Sequence, residues 1–173
     1  MITFETKRHI EIDESYQGIN LTEFAFSIKN PLENDQIVDI FIRSKHFTYE
    51  SLRDCIKKET DVKFLRRAFN IEKIKISDFK KINKEGTTKF LIDFLNEKDW
   101  GDDKNEFATL LNKYFEIHQQ LGNNDFYVIS KDWFERDDEK VIQPESWCYI
   151  YYFFIISVDR NSNLLTFTEW KYD

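Results

Sequence analysis

Trp147-Cys-Tyr-Ile-Tyr-Tyr-Phe-Phe-Ile-Ile-Ser-Val158 is the stretch whose reading decides the fold. It is almost wholly apolar, dominated by aromatic and β-branched residues, and holds neither Gly nor Pro. A membrane-spanning helix needs about 20 apolar residues, more than this run supplies. Its composition selects a strand over a buried helix. Polar residues bracket it, Gln143-Pro-Glu-Ser146 before and Asp159-Arg-Asn-Ser-Asn163 after. In an extended chain Trp147, Tyr149, Tyr151, Phe153 and Ile155 face one way, and Ile150, Tyr152, Phe154, Ile156 and Val158 the other. Neither set is polar, so a central strand covered on both sides is predicted. Cys148 falls within it and reads as a small packed hydrophobe. Leu164 to Tyr172 resumes as a strand after the polar turn, closing an antiparallel hairpin. Its Leu165, Phe167, Glu169 and Lys171 fade to polar, which puts its end toward the sheet edge.

Working back from that hairpin, Ile2, Phe4, Ile10 and Ile12 share one parity and Glu5, Lys7, His9 and Glu11 the other, the pattern of a half-exposed strand. Leu21 to Lys29 alternates again, and Ile37 to Arg43 reads as a third strand after the break at Asn30-Pro31. Thr48 is placed as an N-cap opening a helical middle. Within that middle Leu52, Cys55 and Ile56 share a face, Asp61 caps a second short helix, and Ser77 caps a turn running through Phe79 and Ile82. Phe90, Leu91, Phe94 and Leu95 form an amphipathic stripe over 88–97. Asp103-x-x-Glu106 resembles a capping box, Phe107 to Leu121 lines one helix face, and Gly122 reads as the C′ residue. Phe126 to Ile129 is a further strand, followed by a long polar loop over 131–145. The architecture expected is a single α+β domain: an antiparallel sheet from N-terminal strands (2–43) and C-terminal strands (126–172), with a helical segment (48–121) packed on it.

A chain of 173 residues with 17% aromatic content is able to bury a substantial core, which excludes a disordered chain. No charged-then-apolar leader opens it, and the cytoplasm is the expected compartment. Cys55 and Cys148 form no CxxC pair and read as reduced thiols. Frequent Lys, Asn, Ile and Phe with few Ala, Gly and Pro is the usage of an AT-rich, bacterial genome.

Catalytic motifs are not found. The four glycines are isolated, so no phosphate-cradling loop exists, and no GxSxG elbow occurs. His9, His46 and His118 are far apart and lack metal-ligand spacing. His118 reads as a core histidine with a hydrogen-bond partner. No catalytic residue, metal ligand or cofactor is assigned, and a non-enzymatic role is favoured.

The net charge of −7 is uneven. Residues 53–89 hold twelve Lys/Arg against six Asp/Glu, whereas 97–145 hold thirteen acids against six bases. Two acidic stretches carry tryptophan: Glu97-Lys-Asp-Trp-Gly-Asp-Asp103 and Asp132-Trp-Phe-Glu-Arg-Asp-Asp-Glu139. Aromatic anchors ringed by carboxylates suit a basic protein partner. Trp100, Asp102, Asp103, Trp133, Glu135, Asp137 and Asp138 are the partner-binding candidates; the bland reading tucks Trp133 and Phe134 under the sheet. In size, acidity and aromatic content the chain has the general character of bacterial immunity proteins that neutralise toxins, although no motif carries that comparison. Two alternatives stand beside this one. One is a small enzyme with a His/carboxylate site. The other is a nucleic-acid accessory protein using lysines and arginines of 57–84, disfavoured by a pI near 5.1 and by the acids interleaved there.

Overall fold

The computed structural model describes residues 2–48, 64–65, 68–97, 99–122, 125–135, 141–142, 146 and 148–172, with only the backbone of Thr48, Phe64, Leu65 and Asp102. Among these residues eight strands are seen: β1 (Ile2–Glu14), β2 (Gln17–Ile28), β3 (Phe64–Leu65), β4 (Phe69–Asn70), β5 (Lys80–Ile82), β6 (Asp125–Ser130), β7 (Tyr151–Asp159) and β8 (Leu164–Tyr172). Helices α1 (Asn34–Ile42) and α2 (Lys45–Thr48) follow β2, and α3 (Lys84–Glu97) and α4 (Lys104–Gln120) lie between β5 and β6. Six strands make one antiparallel sheet in the order β1-β2-β8-β7-β6-β5, and β3 pairs with β4 apart from it. The chain is an α+β fold, as its pattern predicts.

β7 is central and covered on both faces, because its two residue sets are apolar alike. Tyr152, Phe154, Ile156 and Val158 join Phe24, Phe26, Leu165 and Phe167 in one core, closed by Phe41 of α1 and Phe47 of α2. Tyr151, Phe153 and Ile155 join Leu21, Trp170, Phe126 and Val128 in the other, closed by Leu91 of α3 and Phe107, Leu110 and Tyr114 of α4. The strand begins later than its composition implies. Ser146 and Cys148 sit in a helical turn, Cys148 is exposed rather than packed, and Ile150 is 48% exposed. Tyr149 consequently packs on Tyr152, 4.9 Å between ring centroids, and leaves the face predicted for it.

Other expectations are overturned, each for its own reason. Ile37 to Arg43 is not a strand but most of α1. The Glu33 N–H is taken by the Gln36 side chain at 2.9 Å, and Ile37, Val38, Phe41 and Ile42 are the buried positions, a helical spacing that the β-branched composition hides. β8 is not near an edge: it lies between β2 and β7, and its Glu169 is fully buried. Asp103 makes no side-chain cap bond to α4, and Gly122 keeps no left-handed backbone. Gly122 instead gives room to a neighbour, since a Cβ there would lie 2.5 Å from an Asp159 carboxylate oxygen. Asp159 is occupied with the β7–β8 turn, accepting from Asn161 N at 2.9 Å and Ser162 Oγ at 2.6 Å. The strand β5 also arises inside the segment predicted helical, joining the sheet edge through Ile82 opposite Phe126. The helices placed around Leu52, Cys55 and Asp61 lie outside the described residues.

The parity of β1 misleads in a different way. Thr6 pairs with Phe24 and Arg8 with Glu23, so Lys7 is an inserted bulge residue. One extra residue exchanges the faces of everything beyond it. Ile2 and Phe4 therefore pack against the α1/α2 core, while Ile10 and Ile12 pack against the α3/α4 core.

Candidate functional site

Following the strand directions, β6 ends at Ser130 beside Phe153, and β8 ends at Tyr172 beside Tyr151. The helical turn Lys131–Trp133 after β6 and the turn Gly101–Asp103 before α4 thus meet at one end of the sheet. The tryptophans of the two acidic stretches, separated in sequence, are joined along a row of rings. Trp133 meets Phe90 at 6.0 Å, Phe90 meets Phe94 at 6.2 Å, and Phe94 meets Trp100 at 5.5 Å. Phe90 and Phe94 are the i, i+4 residues of the α3 stripe, which is why one helix carries the whole row.

Beside this row lies a groove of about 500 Å³, bounded by α3, β5, β6 and the Trp133 turn. Phe90, Phe94, Val128 and Trp133 give it an apolar floor, and Asp93, Glu97, Asp132, Lys80 and Lys89 a charged rim. Lys89 pairs with Asp93 along α3, and Lys131 pairs with Asp132 at 2.9 Å. The Lys80 ammonium lies 3.8 Å from the centroid of the Trp133 ring.

The candidate residues divide. Trp133 is half-buried at the groove, and Glu135 beyond it is exposed. Phe134 turns to the opposite face of the sheet, 6.3 Å from Phe69, so the two aromatics straddle the sheet end. Trp100 is 6% exposed; its indole N–H donates to the Leu95 carbonyl at 3.0 Å and its ring stacks on Phe107 at 4.7 Å. It brackets α3 against α4 and presents no anchor to solvent. The Asp103 carboxylate accepts from the Tyr172 hydroxyl, and that bond pushes the phenol up to about 12. Of Asp102 only the backbone is described, and Asp137 and Asp138 lie outside the described residues. Phe90, Phe94, Asp93 and Lys80 are the groove residues that the acidic stretches did not bring forward; the i, i+4 phenylalanine pair is the signal that points to them.

Charged and polar groups elsewhere hold elements together. Lys81 bridges Asp35 and Asp125, at 2.8 Å each, and the Tyr127 hydroxyl donates to Asp35 at 2.6 Å. Lys81, then Tyr127, hold the Asp35 carboxyl below the usual carboxylate range. Lys84 donates to the Gln119 and Leu121 carbonyls, closing the α4 C-terminus. Lys80, Lys81 and Lys84 are thus engaged within the fold; Lys57, Lys63 and Arg66 of the same basic segment lie outside the described residues.

The histidines do not converge. His9 bonds Thr22 Oγ1 at 2.8 Å and Glu11 at 3.2 Å on β1, and His46 sits among the Phe4 and Phe24 rings. His118 lies on the opposite face, 2% exposed, its Nε2 donating to the Lys84 carbonyl at 3.3 Å. No grouping of three or more His, Cys, Asp or Glu able to hold a metal occurs among the described residues. No described helix is long and apolar enough to cross a membrane.

Burial pushes the His118 imidazole below its ordinary value, and does the same to His46. The neutral ring is favoured in the fold while the unfolded ring protonates near its usual 6.5 or so. The corresponding stability is present above that pH and lost on acidification below it. His118→Phe is expected to shrink the fall in Tm between about pH 7.5 and 5.5 without abolishing it, since His46 remains. An identical fall in both proteins would remove this account.

No protein-family model, curated protein or solved structure matches the chain.

Proposed function

We propose that the chain is a protein-binding module that docks a basic protein at the acidic end of its sheet. The observation that supports this most is the placing of the Trp100 and Trp133 turns at one sheet end, with the 500 Å³ aromatic-floored groove beside them. Apolar contact with Phe90 and Trp133 would slow dissociation, and Glu97, Asp99 and Glu135 would steer the approach of a cationic partner. A toxin held inactive by such a partner is the particular case that the chain's size, acidity and aromatic content bring forward.

The test starts with immobilised chain capturing basic proteins from its source cell, and continues with a purified captured protein. Its binding should weaken at least tenfold in the Glu97→Lys/Glu135→Lys variant and fall steeply with salt. Affinity that ignores both the charge reversal and the salt would rule this surface out.

A further inference from the structure

We infer that the exposed side of the Trp133 ring is a cation-binding face, which Lys80 occupies in the free protein and an arginine of the partner takes over on docking. The inference rests on the groove being the docking site and says what chemistry enters it. Lys80 stands on the edge strand β5 and is exposed, yet its ammonium is settled over the indole at 3.8 Å. It does so although Asp93, Glu97 and Asp132 line the same recess. Two features make a ring attractive to a cation: the negative face of its quadrupole and a surrounding field of negative sign. Trp133 has both. Its orientation is fixed from below, because Phe90 meets it edge-on at an interplanar angle of 75°.

The charges in the groove explain why an exchange is feasible. Asp93 is matched by Lys89, which also feels the Glu97 charge, and Asp132 has Lys131 beside it at 2.9 Å. A guanidinium entering over Trp133 keeps the groove's charge as it was once Lys80 swings out into water. A long, flexible lysine on an edge strand makes that movement without disturbing the sheet. Arginine is the better occupant, because its planar group stacks on the indole and is more weakly hydrated than an ammonium. Lys80 therefore competes with the partner, and removing it should strengthen binding.

The full-length chain would be titrated with an acetylated, amidated Gly-Arg-Gly-Arg-Gly peptide and with its Glu counterpart. The readout is the indole N–H resonance of Trp133, assigned by its loss in Trp133→Phe. The arginine peptide should shift this resonance and the glutamate peptide should not. Lys80→Met should tighten binding about two- to fivefold, the range of an exposed cation–π contact. Lys89→Met removes the same charge from the same groove but leaves the ring covered, and should tighten it distinctly less. Thermal melts of both variants confirm that the fold is kept. Equal tightening by the two variants would mean that net charge alone acts, and would overturn the inference. So would weaker binding in Lys80→Met, peptide binding that leaves the Trp133 resonance unmoved, or no binding by either protein. The capture experiment stands apart from these outcomes: a partner sensitive to Glu97→Lys/Glu135→Lys but indifferent to Trp133 and Lys80 keeps the docking end and removes the exchange.

Discussion

Glu169→Leu should lower the stability of the fold by about 4 kcal/mol, because each buried hydrogen-bonding group left without a partner costs about 1–3 kcal/mol and at least two are stranded. Glu169 is 0% exposed in the interior strand β8. One carboxyl oxygen accepts from the Tyr152 hydroxyl on β7, and the other accepts from the Asn20 amide on β2 at 3.1 Å. The group therefore ties together three adjacent strands on the face that otherwise carries Phe24, Phe154 and Phe167. Glu169→Gln keeps the shape but turns one acceptor into a donor, so it should cost about half as much. In a double-mutant cycle, Tyr152→Phe should cost less in the Gln background than in the native one. Urea denaturation at unchanged m reports all three. A Glu169→Leu protein as stable as the native one would show that the apolar side chain replaces the network without loss, as happens at some buried polar sites.

Glu169 also shows how far the residues themselves can be read. The elements were legible wherever composition and period agreed: β7 with its two apolar sets, the β7–β8 hairpin, and the α3 and α4 stripes. A glutamate near the end of a strand looks like a fraying edge, because its partners Asn20 and Tyr152 are far away in sequence. The error in β1 has the same root. The bulge at Lys7 is a relation between two strands and has no signature in one of them. α1 was hidden because Ile, Val and Phe favour strands, while the deciding contact, Gln36 reaching back to the Glu33 N–H, is a single hydrogen bond. For the candidate site, acidity and tryptophan located the right end of the molecule but could not grade burial. Trp100 and Trp133 look alike in sequence, and only packing separates the bracket from the groove residue.

Phe153→Ala and Phe154→Ala should each cost about 3–5 kcal/mol, yet differ in what they do to the groove. The two residues are consecutive, both 0% exposed, and placed on opposite faces of β7. Phe154 packs among Phe47, Phe69, Phe79 and Phe167, at centroid distances of 5.7, 5.0, 5.7 and 5.5 Å. Phe153 lies flat on Trp170 at 5.4 Å and meets Phe90 at 5.4 Å and Phe94 at 5.2 Å. Phe90 and Phe94 are the rings on which Trp133 and Trp100 rest, so a cavity at Phe153 removes the support of the whole row. A loss of this size takes a large share of the 5–15 kcal/mol that holds a typical domain together. Binding is therefore better compared in the milder Phe153→Leu and Phe154→Leu pair. The Trp133 indole resonance should move and broaden in Phe153→Leu and stay near its native position in Phe154→Leu, at matched stability. Equal disturbance by both would mean that the groove responds to general loosening of the sheet, and that the aromatic row is not the element that positions it.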